Sequence, residues 1–193
     1  IALSTIFLFG CTGEIIMEKA GHLNLGVPGI MCFGCFGGCY GISIYMTMVT
    51  KNGHDPIWIL LILFMLLFSA LFSIIPAAIY VLLTVTFKCN QNVTGLALTT
   101  FGEGFIDYFI HKIDKSQFTI ASKLIRTGFP FASKLGTFGA IFFDHSVLTY
   151  LAIAIAVAAG LILSKTKLGL NLRAVGENPA TADAAGMNVT ACK

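Results

Sequence analysis

Of 193 residues, 56% are hydrophobic and only 11% charged, and the net charge is +3. Soluble globular chains carry roughly 25% charged residues, so the composition excludes an ordinary water-soluble domain, and the small, scattered positive charge excludes a nucleic-acid partner. The apolar residues fall in long uncharged runs, which predicts an all-α fold: a polytopic transmembrane helical bundle with lipid around it.

Ile1 already lies within an apolar stretch that continues to Met17, with Glu14 and Glu18 near its exit. The chain therefore reads as one membrane domain truncated at both ends, with a first span over 1–17. Gly21, Gly26, Pro28 and Gly29 then predict a break in the helical path. Irregular backbone at membrane depth survives only where protein or a water-filled cavity surrounds it. A second span is expected over 27–50. Its Gly34/Gly38 and Gly37/Gly41 pairs let neighbouring helices approach closely. Cys32, Cys35 and Cys39 share one face of it. No histidine or carboxylate lies nearby in sequence to complete a ligand set, so these cysteines read as small packing residues and no metal site is expected.

The longest uncharged run, 57–87, spans about 46 Å as a helix, against a hydrocarbon core of about 30 Å. One long helix fits, kinked by Pro76, which removes a backbone donor and crowds the preceding turn. A less apolar span is expected over 94–110. Thr99, Glu103 and Asp107 stripe one of its faces, directed either into the bundle or toward interfacial water. The segment 146–164, between His145 and Lys165, makes a fifth crossing.

Alternation puts loops 18–26, 88–93 and 165–193 on one side, with 51–56 and 111–145 on the other. Lys19, Lys88, Lys165, Lys167, Arg173 and Lys193 on the first side match Lys51, Lys112, Lys115, Lys123, Arg126 and Lys134 on the second in number. Loop charge therefore does not orient the chain.

The loop 165–190 encodes a short helix. Asn178 can cap it, Pro179 suits its first position, Ala180, Ala182, Ala184 and Ala185 favour it, and Gly186 can stop it. About two turns are unstable alone in water. A small, Ala-rich surface suits docking into another protein, although an interspan loop could carry the same capping signals.

Three stretches give a resemblance. Lys167-Leu-Gly-Leu-Asn-Leu-Arg-Ala-Val-Gly-Glu-Asn-Pro179, followed by Gly186-Met-Asn-Val189, closely resembles the cytoplasmic coupling loop of ABC importer permeases of the simple-sugar, nucleoside and branched-chain amino acid class. Gly13 to Val27 and Gly29-Ile-Met31 look like an early motif of that class. Gln91-Asn-Val-Thr-Gly-Leu-Ala-Leu98 resembles the segment after its long central helix, most of all in the nucleoside branch. The matches keep the family's order over about residues 10–190. One departure is Pro28, where the family usually has Glu.

The resemblance implies a multi-pass inner (plasma) membrane protein that is not itself an enzyme, with 165–193 inside and 111–145 outside. ATP and magnesium would bind a separate ATP-binding-cassette subunit. A second permease subunit, identical or not, and an extracytoplasmic solute-binding lipoprotein would complete the importer. Gly169, Arg173, Gly176, Glu177, Asn178, Pro179, Ala182 and Gly186 are the expected coupling residues. Asn24, Gln91 and Glu103 are candidates for the path of a nucleoside or simple sugar, with interhelical hydrogen bonding as the other explanation. The rival reading is an ion-gradient-driven secondary transporter of a small polar solute, in which Glu103 and Asp107 would be proton or cation sites.

Overall fold

The computed structural model describes residues 2–53, 55–113, 118–126 and 145–189. His54, Lys115, Lys134, Asp144, Cys192, Lys193 and the last residue of the 165–190 loop lie outside them. Helices α1 (Ala2–Lys19), α2 (Val27–Asn52), α3 (Trp58–Val81), α4 (Gln91–Ile110), α5 (Phe118–Arg126), α6 (Val147–Lys165), α7 (Lys167–Glu177) and α8 (Pro179–Ala184) follow in chain order. The fold is all-α.

Helices α1, α2, α3, α4 and α6 occupy the five stretches expected as spans, with shifted boundaries. The fourth helix begins at Gln91 rather than at 94, because the Asn90 side chain accepts hydrogen bonds from the Asn92 and Val93 amides and caps it. Among the described residues, three helical stretches are long and apolar enough to cross a membrane: 27–52, 58–86 and 147–165. α1 and α4 have a similar length but a more polar make-up. The long 57–87 run is not uniform. It stays α-helical through Pro76 and widens into a π-helical turn over Leu82–Thr86. There the Thr84 hydroxyl donates to the Tyr80 carbonyl at 2.8 Å.

α2 is clamped between α3 and α4, and its glycines explain how. A Cβ on Gly37 would lie 2.5 Å from the Phe68 carbonyl oxygen, and one on Gly41 would lie 2.8 Å from that of Phe64. Toward α4, a Cβ on Gly102 would sit 2.6 Å from the Gly29 carbonyl. Side chains of ordinary size would hold these backbones apart. Phe33 stacks on Phe105 at 4.2 Å, and Phe36 meets Phe105 edge-on at 5.2 Å, filling the space between α2 and α4. The outer face of α3, by contrast, is almost wholly unburied: Leu63, Leu67, Leu71 and Ile74 are exposed.

Two ends emerge. At one, Tyr45, Met46, Leu61 and Ala121 pack together, with α5 against α2 and α3. The Tyr45 hydroxyl accepts from the Ile57 amide at 2.9 Å and donates to the Ile57 carbonyl at 3.1 Å, which closes the α2–α3 turn. At the other end, the break after α1, the start of α4 and helix α7 meet. Segment 20–26, the start of α4 and α7 thus share one end, and the α2–α3 turn and α5 share the other. α5 was not foreseen in the 111–145 loop, although Phe118, Ala121, Leu124 and Ile125 recur at helical spacing.

Candidate functional site

The expected break exists but is shorter at its far end: it covers residues 20–26, between α1 and α2, and Pro28 and Gly29 already belong to the first turn of α2. Its backbone is fastened from several sides. The Asn24 amide donates to Glu14 Oε1 at 3.1 Å, and the Leu23 amide donates to Gln91 Oε1 at 3.1 Å. Tyr80 donates its hydroxyl to the Leu23 carbonyl at 3.1 Å, and Thr99 donates to the Leu25 carbonyl at 2.8 Å. Asn24 Oδ1 receives the Gly26 amide at 2.8 Å, while its Nδ2 faces Met17 Sδ at 3.1 Å. Side chains of α1, α3 and α4 thus supply hydrogen bonds that a helix would have made internally.

Two of the three expected path residues meet here. Asn24 is 2% exposed and folded back onto its own segment, and Gln91 is engaged with Leu23. In this arrangement both make the interhelical and local bonds that were the other explanation for them. Glu103 is not brought to them; it is exposed farther along α4.

The expected coupling residues form a two-helix module. Thr166 caps α7, its side chain accepting from the Gly169 amide. Asn178 caps α8, its Oδ1 accepting from the Ala180 and Thr181 amides at 3.2 Å each. Gly186 adopts φ +81° after α8, and the Met187 amide returns to the Ala182 carbonyl at 3.1 Å. This is the αL stop expected of a glycine in that place. The helix α7 itself was missed. Its signal was the Thr166 cap, with Leu172 and Val175 on the inward face.

The module's residues divide by direction. Gly169 and Gly176 face the body of the chain, and Ala182 is turned inward within the module, where α8 packs on α7. A Cβ on Gly169 would run into the Leu163 carbonyl at the end of α6, and Ala182 is 3% exposed. Arg173, Glu177, Asn178, Pro179 and Gly186 are exposed. The outer side of α8 borders a shallow hollow of about 570 Å³ lined by Pro179, Ala180, Asp183, Gly186 and Met187. One set of residues seats the module, and the other forms a surface.

Within the bundle, a mostly apolar cavity of about 490 Å³ opens between α1, α2, α3 and α6. Thr5, Ser69 and Thr149 bring hydroxyls to it, and the Thr5 and Thr149 hydroxyls lie 3.3 Å apart. Cys35 and Cys39 line it too, and Cys35 is exposed. Cys32 and Cys39 are half-buried, and on the same helix the neighbouring Gly34 makes the close approach to Ser69 and Ser73 of α3.

Compared with known proteins, the chain is 33% identical over 190 residues to the nucleoside ABC transporter permease protein NupC of Lactococcus lactis subsp. cremoris, covering 97% of this chain and 57% of that protein. It is 32% identical over 180 residues to the guanosine ABC transporter permease protein NupQ of Bacillus subtilis, covering 92% of this chain and 54% of that one. It spans a little over half the length of these curated relatives. No solved structure matches it. Residues 1–193, all of the chain, fit the family model described as the branched-chain amino acid transport system/permease component, and the chain belongs to that family of membrane transport permeases.

Proposed function

We propose that this chain is the membrane-spanning core of an ABC importer permease for a nucleoside or simple sugar, lodged in the cell's inner (plasma) membrane. The observation that carries the reading is the module α7–α8. It is a doubly capped helix pair, held on the bundle by close backbone approach at Gly169 and Gly176, with charged and polar residues turned outward. Helices this short hold their shape here by packing, and they present a rigid surface on which a second protein can push.

In this reading α8 docks on a cytoplasmic ATP-binding-cassette subunit, which carries ATP and magnesium. Arg173, Glu177, Asn178 and Pro179 face that subunit, while Gly169 and Gly176 hold the module to the spans and Ala182 holds α8 to α7. A second permease subunit completes the channel, and an extracytoplasmic solute-binding lipoprotein delivers the solute. Glu103 is retained as a path residue facing that second subunit. Closure of the ATPase pair moves the module as a rigid body and switches access across the membrane. Nucleoside transport is favoured by the relatives, whose names specify nucleoside and guanosine.

The test is uptake of radiolabelled nucleoside by vesicles holding the full-length permease and its ATPase. Uptake that survives an uncoupler and stops when ATP is depleted supports an importer. Uptake that collapses with the uncoupler refutes it in favour of an ion-driven carrier.

A further inference from the structure

The break at 20–26 is seated at both ends on glycine pairs. At its start, Gly21 has φ +80°, and a Cβ there would meet the Gly176 Cα at 3.0 Å. In return, a Cβ on Gly176 would collide with the Lys19 carbonyl oxygen and lie 3.0 Å from the Gly21 nitrogen. At its finish, a Cβ on Gly95 would come 2.8 Å from the Gly26 nitrogen, and one on Gly26 would come 3.3 Å from the Gly95 Cα. Gly176 belongs to α7 and Gly95 to α4. Between the two seats, Tyr80 of α3 holds the Leu23 carbonyl.

The geometry points to a mechanical role: we infer that the 20–26 segment is a strap carrying displacement of the α7–α8 module into α4 and α3, with Gly176 and Gly95 as its positioning residues. Backbone pressed on backbone has no flexible side chain to absorb a shift, so displacement of α7 at Gly176 is passed to the Gly21 backbone. A segment without internal helical bonds can change its dihedrals where a helix would have to break. Its fastenings to Tyr80, Gln91 and Thr99 then move with it. Gly26 also precedes the first turn of α2, so the same strap sets where α2 begins. The inference rests on the coupling role proposed for α7–α8 and adds the route by which the motion leaves that module.

The experiment uses the full-length permease with its ATPase in proteoliposomes. Gly176→Ala, Tyr80→Phe and the double variant are compared for ATPase co-purification, ATP hydrolysis and nucleoside taken up per ATP hydrolysed. Gly176→Ala and Tyr80→Phe are each expected to retain the ATPase and its hydrolysis, while uptake per ATP falls by about tenfold in Gly176→Ala. Because both act on one strap, the double variant should be little worse than the more severe single variant. Fully additive losses overturn the strap, as does normal uptake per ATP in Gly176→Ala. If Gly176→Ala loses its ATPase, its role is docking and the strap is again overturned. If Gly176→Ala does not accumulate in the membrane, Tyr80→Phe decides alone, and normal coupling in that variant refutes the inference. Failure of the wild-type permease to retain any ATPase would sink the importer reading itself, which is a different result from any of these.

Discussion

Replacing Gly37 by Ala adds one methyl group at the tightest part of the α2–α3 seam. That carbon would lie 2.5 Å from the Phe68 carbonyl oxygen, 2.7 Å from the Phe72 Cβ and 3.0 Å from its Cγ. Ordinary contacts fall at about 3.5–4.0 Å, so α3 must retreat by about 1 Å. The obstacles are a backbone oxygen and a side-chain stem, neither of which can swing aside. A gap of that size forfeits a quarter to a half of the attraction along the adjoining contacts. Overpacking typically costs about 1–3 kcal/mol, and the rigid surroundings place Gly37→Ala at the upper end. The control is Gly160→Ala on α6, where an added Cβ meets nothing within 4 Å. There the loss of a flexible glycine should leave stability unchanged or slightly improved. The assay is the fraction of full-length permease remaining monodisperse in mild detergent after stepwise heating. The midpoint should fall by several degrees for Gly37→Ala and not for Gly160→Ala. Equal midpoints would refute the claim that glycine at 37 is required by backbone approach.

Asn178→Ala removes the cap over two amides of α8 and should cost that helix about 1 kcal/mol; uptake should drop while detergent stability of the spans stays put. Gly186→Val forces a β-branched residue to φ +81°, a strain of roughly 1–3 kcal/mol, and should abolish solute-stimulated ATPase activity; unaltered stimulation would remove α8 from the coupling surface. Tyr45→Phe breaks both bonds to Ile57 and should lower the thermal midpoint by the equivalent of about 1–3 kcal/mol. Glu103→Gln should change the concentration dependence of nucleoside uptake; identical uptake curves would exclude Glu103 from the path.

The helical architecture was legible because each long element carries its own signal. Charge-free runs mark α3 and α6, paired glycines mark α2, and Asn178, Pro179 and Gly186 bracket α8 within two residues of its observed limits. What the sequence hid was direction. Asn24 and Gln91 look like polar groups available to a solute, yet in this arrangement both accept from backbone amides of one non-helical segment. Backbone groups left over at a break cannot be assigned partners from spacing alone. Gly169, Gly176 and Ala182 belong to the same motif as Arg173 and Glu177, but they face the opposite way. Short amphipathic helices also escaped notice. α5 and α7 are too brief to stand out by periodicity, and they become helices by leaning on something already folded.

The bare outer flank of α3 has an evolutionary corollary. Leu63, Leu67, Leu71 and Ile74 touch no other part of the described chain closely enough to be buried, so any greasy side chain serves equally well there. Opposite, the groove of α2 admits a hydrogen atom and nothing larger at Gly37. A deep mutational scan of the pair should therefore produce two different patterns: free exchange among Leu, Ile, Val and Phe along one helix, and near-total intolerance at the glycines of the other, although both segments lie in the same apolar surroundings.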